Sequence, residues 1–358
     1  MERLNWHIAD ELSNAHQVML ISHTDARETA PLKTAFYSVP LNPLPLFLIL
    51  AFFKTLWVCL IKRPDILFAG SGLTAPIVVF WAKIFRKKSI VYIHGLDIGT
   101  NNKFYNLFWI PFIKKANVVI ANSSATYNIC VKKKIKPTKL SIIHPGVSFP
   151  PLPINMKLVQ QLKEQYQLNG KKVLISVGRL TQRKGLNEFI GYSFPQIVKN
   201  IPNVVLIVIG DTPNQSLKKT LQSKELILST AQKHDIHDKI IFTGNINDDQ
   251  ILSSFYYLTD IHIFPVKYIV EDPEGFGMVA IEAAAHGTPT IAFATGGIID
   301  AVKNNESGYL VETKDYVNLS TKVIKLLSSQ SKISNESCQN FATNFSWENM
   351  GKKLNQLI

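Results

Sequence analysis

Cysteine is scarce, no apolar run is both long and uncharged, and acidic residues vanish from one long stretch. The three cysteines, Cys59, Cys130 and Cys338, are far apart and odd in number. That excludes a disulfide framework and zinc-ligand spacing, and a reducing compartment is the simpler reading. The first ten residues hold acidic side chains and no apolar core, so they do not read as a secretory signal. The most hydrophobic run, residues 46–61, is interrupted by Lys54. It is short for a bilayer span, and a buried or interfacial helix fits it better. No Asp or Glu occurs between residues 98 and 150. Repeats, low-complexity tracts, a P-loop and a nucleophile elbow are also missing.

What is there points to a large globular chain. Its 358 residues are 46% apolar, enough for two domains with a core each. The formal net charge is +13, unevenly spread. Residues 1–150 hold 18 Lys and Arg against 7 Asp and Glu, whereas residues 151–358 hold 21 against 19. The excess in the first part calls for an anionic partner: nucleic acid, a membrane surface or a phosphorylated substrate.

Short Val/Ile-rich runs alternate with helical stretches along the chain. Strands are expected at 18–22, 66–69, 90–93, 118–121 and 141–143, then at 173–177, 204–209, 240–243, 261–264, 290–293 and 309–311. Helices are expected at 46–62, 74–86, 104–116 and 123–134. Such runs between helices mean strands buried on both faces, hence parallel sheets. Two series of them predict two doubly wound α/β domains. Residues 144–153, HPGVSFPPLP, contain four prolines and form a stiff connector. The domains are therefore placed at 1–150 and 151–344. Residues 345–358 form an amphipathic helix, with Ser346 as its cap, expected to pack back on the first domain.

The segment Glu271–Gly287 is the richest in chemistry. It follows a strand, and ligands of doubly wound folds bind at carboxyl ends of strands. Gly275 and Gly277 let a ligand approach the backbone, and the helix starting near Met278 offers free amides to a diphosphate. Glu274 precedes that helix and Glu282 lies one turn inside it. Two carboxylates beside a phosphate seat suit sugar hydroxyls. An ordinary glycine turn with a helix-dipole glutamate explains the same residues equally well. A second strand-end loop, Gly178 to Gly185, places Arg179 and Lys184 at one turn, where two cations can neutralise a diphosphate. A solvated basic loop is the bland alternative, and Arg183 fits it better. His94 closes another buried strand next to Gly95; such a lone histidine is more often structural. Asn247-Asp248-Asp249 mimics a metal pair, yet a helix cap accounts for it.

In this combination the sequence resembles glycosyltransferase family 4, with the GT-B fold. The resemblance runs from about residue 8 to the end. It rests on Arg179 and Lys184 in a GR-x4-KG context, the E-x7-E pattern Glu274–Glu282, and Ile93-His94-Gly95. Ala121-Asn-Ser-Ser, His144-Pro-Gly-Val, Gly296-Gly297 and Gly308-Tyr-Leu-Val add to it. DPEGFG followed by IEAAAHG is most similar to mannosyltransferases acting on phosphatidylinositol and related lipids. The resemblance implies two Rossmann-like domains with a cleft between them. It implies retaining hexosyl transfer from a nucleotide-diphosphate sugar, with no metal and no cofactor. By carry-over, Arg179 and Lys184 hold the diphosphate and backbone amides around Phe276, Gly277 and Met278 orient the donor. Glu274 binds sugar hydroxyls, Glu282 the ribose, and His94 approaches the donor sugar. The first strand and glycine-rich loop of the family have no counterpart here, so the first domain is expected to lack its opening strand.

The basic clusters at 62–63, 86–88, 114–115 and 132–136 join the apolar run in suggesting an anionic membrane partner. Several sit at helix ends, where the dipole favours cations anyway. No nucleic-acid motif appears, and none is expected as partner. The leading expectation is a cytoplasmic enzyme, peripheral on the inner membrane face, with a glycan or lipid-linked acceptor. The alternative is a truncated or non-catalytic GT-B protein that binds nucleotide or a partner.

Overall fold

The computed structural model describes residues 2–212, 222–269, 272–330 and 332–358. They divide into two compact units. One takes residues 2–146, 272–276 and 347–358, and the other residues 147–269 and 277–346. The sequence places residues 272–276 with the second domain. In the structure they group with the first unit, because their backbone packs on its strand ends, as described below.

The first unit opens on the helix Glu2–Ser13, then β1 (Val18–His23) and β2 (Thr34–Val39). β3 (Ile66–Ala69), β4 (Lys88–Ile93), β5 (Val118–Ala121) and β6 (Leu140–Ile142) follow. β2 is an addition to the expected set. Its residues are mostly half-buried, so its sequence lacks the Val/Ile signature of a doubly covered strand. Pairing is parallel throughout, but β1 pairs with β2 alone while β3, β4, β5 and β6 form a separate ordered sheet. In the 3-2-1-4-5-6 order of a doubly wound sheet, β2 and β1 take the third and second places and β3 the fourth. Among the described residues no strand lies between β1 and β3 in either sheet. The opening strand is thus missing from the described fold, and its neighbours show it. The four residues Ile90–Ile93 of β4 are completely buried, whereas every residue of β1, Val-Met-Leu-Ile included, stays half-buried.

The apolar run forms one helix, Leu44–Ile61, of 18 residues. It is two residues longer than the run and, by length and composition alone, long enough to cross a bilayer. Its inner face, Ala51, Thr55, Val58 and Cys59, is buried, and Thr55 Oγ1 satisfies itself on the Ala51 carbonyl at 2.7 Å. The outer face leaves Ile49, Phe53, Trp57 and Leu60 exposed. The expected helix 104–116 is two, Lys103–Phe108 and Ile110–Lys115, with Pro111 in the first turn of the second. The C-terminal helix, Trp347–Asn355, starts just after Ser346. Trp347 stacks on His7 of the opening helix, centroids 3.7 Å apart, and burial there lowers the His7 pKa to about 4, so the ring is neutral.

The second unit is built on β7 (Lys172–Val177), β8 (Val204–Ile209), β9 (Ile240–Gly244), β10 (Ile261–Phe264), β11 (Thr290–Phe293) and β12 (Gly308–Val311). They form a parallel sheet in the order β9-β8-β7-β10-β11-β12, which is the doubly wound order 3-2-1-4-5-6. β8 is buried at all six positions, which a run of Val, Ile and Leu covered by helices on both faces requires. Asp248 caps the helix Asp249–Tyr257 by accepting from the amides of Gln250 and Ile251 at 2.8 and 2.9 Å.

Among the described residues, alternate amides on one side of β1 and of β3 have no neighbouring strand to accept them. In hydrogen–deuterium exchange, β1 and β3 should exchange at least tenfold faster than β4 and β5. Equal protection across all four strands would show that the gap is closed.

Candidate active site

In the second unit the strand order reverses between β7 and β10, and ligands of such sheets bind beyond the carboxyl ends of the strands there. Both motif-bearing loops begin at those ends. After β7 the chain turns through Gly178, whose amide donates to the Ile209 carbonyl at 2.9 Å. Arg179 follows, exposed, and no described carboxylate forms an ion pair with it. The turn Gln182–Lys184 then leads into the helix Leu186–Tyr192. Lys184 folds back, so that its Cε passes 3.6 Å from where a Cβ on Gly178 would stand. Its ammonium sits 4.7 Å from the centre of the Phe264 ring, at the end of β10. Arg179, Lys184, Gly178, Gln222 and Phe264 share the lining of one small hollow.

The loops after β7 and β10 are stitched together. The Lys267 amide donates to the Arg183 carbonyl at 2.8 Å, and the Lys267 ammonium pairs with the Glu188 carboxylate. Gln222 Nε2 donates to the other oxygen of Glu188 at 3.0 Å. At the centre of this seam lies Gly185, with φ of +70°. A Cβ there would run into the Pro265 carbonyl oxygen, so both conformation and space demand glycine. Beneath the seam His262 is fully buried, and its Nδ1 lies 3.1 Å from Thr290 Oγ1. Burial, helped by the Lys184 charge, lowers its pKa to about 3, so it adds no charge to the site.

The helix Met278–Ala285 begins directly after Gly277, where a Cβ would stand 3.0 Å from the Phe264 ring, so its N-terminus lies at the end of β10. Glu282 is half-buried in its second turn. The Glu282 carbonyl oxygen lies 2.7 Å from His286 Nδ1, whose other nitrogen meets Ser253 Oγ at 2.8 Å.

His94 lies in the first unit, at the end of β4. Its Nε2 donates to the Gly70 carbonyl at 2.7 Å, which leaves Nδ1 as the acceptor of the neutral ring. Burial lowers its pKa, and Asp97 and the bond to Gly70 work against that shift. Asp97 in turn accepts from the Gly72 amide at 2.8 Å. Glu274 also belongs to this unit, in the segment 272–276. Pro273 packs on Gly99, and Phe276 stacks on His144 with centroids 5.2 Å apart.

The structure therefore gathers Arg179, Lys184, Gly277, Met278 and Glu282 in one unit. It gathers His94, Glu274, Gly275 and Phe276 in the other. Sequence reasoning missed Phe264, Gln222 and the Glu188–Lys267 pair. Phe264 was visible as the last residue of an expected strand, the place where a side chain reaches the ligand end.

The comparisons agree with this architecture. A family model described as "Glycosyl transferases group 1" matches residues 159–345, and one described as "Glycosyltransferase Family 4" matches residues 1–149. The capsular polysaccharide biosynthesis glycosyltransferase CapM of Staphylococcus aureus is 28% identical over 291 residues, 75% of this chain and 69% of that protein. A GDP-mannose-dependent phosphatidylinositol monomannoside mannosyltransferase of Mycobacterium tuberculosis is 27% identical over 169 residues, 47% of this chain and 41% of that protein. Among solved structures, Anabaena HepE in complex with UDP superposes with a TM-score of 0.80 at 17% identity, covering 99% of this chain and 95% of that one. That likeness shows the fold, GT-B.

Replacing Gly185 by Ala is expected to destabilise the second unit by about 1–3 kcal/mol, the cost of a strained backbone site. At roughly 2–4 °C per kcal/mol for a unit of this size, the melting temperature should fall by several degrees. An unchanged melting temperature would mean that the seam with Pro265 yields freely.

Proposed function

The chain belongs to the family 4, group 1 glycosyltransferases and uses a nucleotide-sugar donor; from that premise we propose a retaining, metal-independent transfer of a hexose to a glycan or lipid-linked acceptor. The observation that carries this reading is the position of Lys184 over Phe264, where the strand order reverses and two loops are locked together. A fixed ammonium there, with the nearby Arg179, suits a diphosphate. Charge develops on the departing diphosphate, so cations already in place stabilise the transition state more than the ground state. The two side chains take the role that a metal would otherwise fill.

In the proposed step the acceptor hydroxyl oxygen bonds to the sugar's C1 on the face that the diphosphate leaves. The C1–O bond breaks with its electron pair going to the phosphate oxygen, and that oxygen takes the acceptor's proton. No protein nucleophile takes part. Glu282 holds the ribose hydroxyls, Glu274 the sugar hydroxyls, and amides around Phe276–Met278 orient the donor. His94 is assigned to the donor sugar as a neutral ring. The mannosyltransferase-like identity of the motif favours a mannosyl donor, and a lipid acceptor follows from the same likeness.

The membrane reading draws support from the outer face of the helix Leu44–Ile61. Ile49, Phe53, Leu60 and Ile61 are each more than half exposed, and Lys62 and Arg63 follow directly. An apolar face edged by cations suits peripheral binding to an anionic leaflet, the inner face of a cytoplasmic membrane. A second reading, a non-catalytic GT-B protein that binds nucleotide, is favoured by one observation: in the first unit β1 pairs with β2 alone and β3 heads a separate sheet.

Release of nucleoside diphosphate from a panel of nucleotide hexoses tests the enzyme reading, and donor binding without turnover would select the second. Arg179→Ala should cut kcat by roughly 100–1,000-fold. Glu282→Ala should raise the donor KM about 10–100-fold, the worth of a charged hydrogen-bond pair. A fully active Arg179→Ala protein would sink the assigned role. For the membrane, sedimentation with phosphatidylglycerol vesicles should exceed that with phosphatidylcholine alone. Equal binding to both removes the electrostatic part.

A further inference from the structure

Glu274 and His94 are both assigned to the donor sugar, so what fixes one against the other matters to the reaction. Gly275 is packed backbone to backbone on the strand end that carries His94. A Cβ on Gly275 would stand 2.5 Å from the His94 carbonyl oxygen and 2.9 Å from the side-chain nitrogen of Asn122. A Cβ on Gly95 would in turn stand 3.4 Å from the Gly275 Cα and 3.2 Å from Thr126 Oγ1. Two glycine backbones thus touch, with Asn122 at their side.

Asn122 is nearly buried, at 5% exposure, just past the end of β5. Its backbone amide donates to the Ile93 carbonyl at 3.1 Å, which ties it to the residue before His94. Its side chain has one defined orientation. Oδ1 accepts from Thr126 Oγ1 at 2.7 Å, and Ser123 Oγ donates to Thr126 Oγ1 at 3.1 Å. The Thr126 hydroxyl holds the oxygen, which leaves the NH2 group on the side of Gly275. A helix cap needs none of this. Ser123 already caps the helix Ser124–Lys132 through the Thr126 amide at 3.1 Å.

We propose that Asn122 is a positioning residue that holds the Glu274-bearing backbone against His94, so that carboxylate and imidazole meet the donor sugar in one fixed geometry. The proposal rests on the glycosyltransferase reading for its consequence, not for its geometry. Asn122 touches no reacting atom. It acts by presenting a buried donor to a loop whose backbone carries the carboxylate.

Asn122→Asp keeps the acceptor for Thr126 and replaces the NH2 group beside Gly275 by a charged oxygen. Gly275→Ala pushes the loop off from its other side. Both are expected to lower kcat by about 10–100-fold, with donor KM changed less than threefold, because Arg179, Lys184 and Glu282 are untouched. Thr126→Val, which frees the Asn122 amide to flip, should give a smaller loss of kcat at the same KM. Hydrogen–deuterium exchange of a peptide spanning residues 272–280 is read on the same proteins. It should rise at least fivefold in Asn122→Asp and Gly275→Ala. Unchanged exchange in both variants, or kcat within twofold of the parent, would overturn the proposal. Failure of the parent to turn over any donor would instead strike the glycosyltransferase reading, and the exchange data would still decide whether Asn122 holds the loop.

Discussion

The close approach of Gly185 to the Pro265 carbonyl sets the geometry on which the rest of the site depends. It joins the loop after β7 to the loop after β10, two strands whose side-by-side pairing brings their ends together. A side chain at Gly185 would separate them. Lys184 is the residue next to this contact, so its ammonium is carried to Phe264 by backbone constraint rather than by a side-chain search. A long lysine otherwise loses up to about 2 kcal/mol of rotamer freedom when fixed. Here the contacts of the side chain with the Phe264 ring and with Gly178 hold it in one course before any ligand arrives. Preorganisation of this kind is what an anionic leaving group exploits.

The surroundings of Lys184 keep its charge effective. Phe264 gives it an electron-rich face, worth roughly 0.5–2 kcal/mol, without neutralising it. His262, buried directly behind, is held neutral by desolvation, and the lysine itself contributes to that. Lys267, a second ammonium nearby, pairs with Glu188.

How far the sequence disclosed this depends on whether a property is local. The strands of the second unit were legible because burial on both faces demands unbroken Val, Ile and Leu, as in Val204–Ile209. β2 was not, since Thr34–Val39 is half-buried and mixes polar with apolar side chains. The strand-end positions of Arg179, Lys184 and His94 could be read because each follows such a run. Phe264 is distant in sequence from Lys184 and looked like an ordinary core residue. Asn122 reads as the start of a helix; only its contact with Gly275, more than 150 positions away, gives it another meaning.

The E-x7-E spacing shows the same limit in sharper form. Eight residues would fix the separation of two carboxylates if both lay on one helix, at 1.5 Å of rise per residue. Only Glu282 does, inside Met278–Ala285. Glu274 precedes Gly277, which stands in the left-handed region at φ +92°, and its backbone is packed with the other unit. The spacing is therefore not a ruler between two carboxylates. It is the length of chain needed to leave the strand ends of the first unit, turn through a glycine, and enter a helix of the second. One motif thereby gives a carboxylate to each unit, and each carboxylate takes its precision from its own surroundings. For Glu282 that is the helix, and for Glu274 it is the glycine-to-glycine contact beside Asn122.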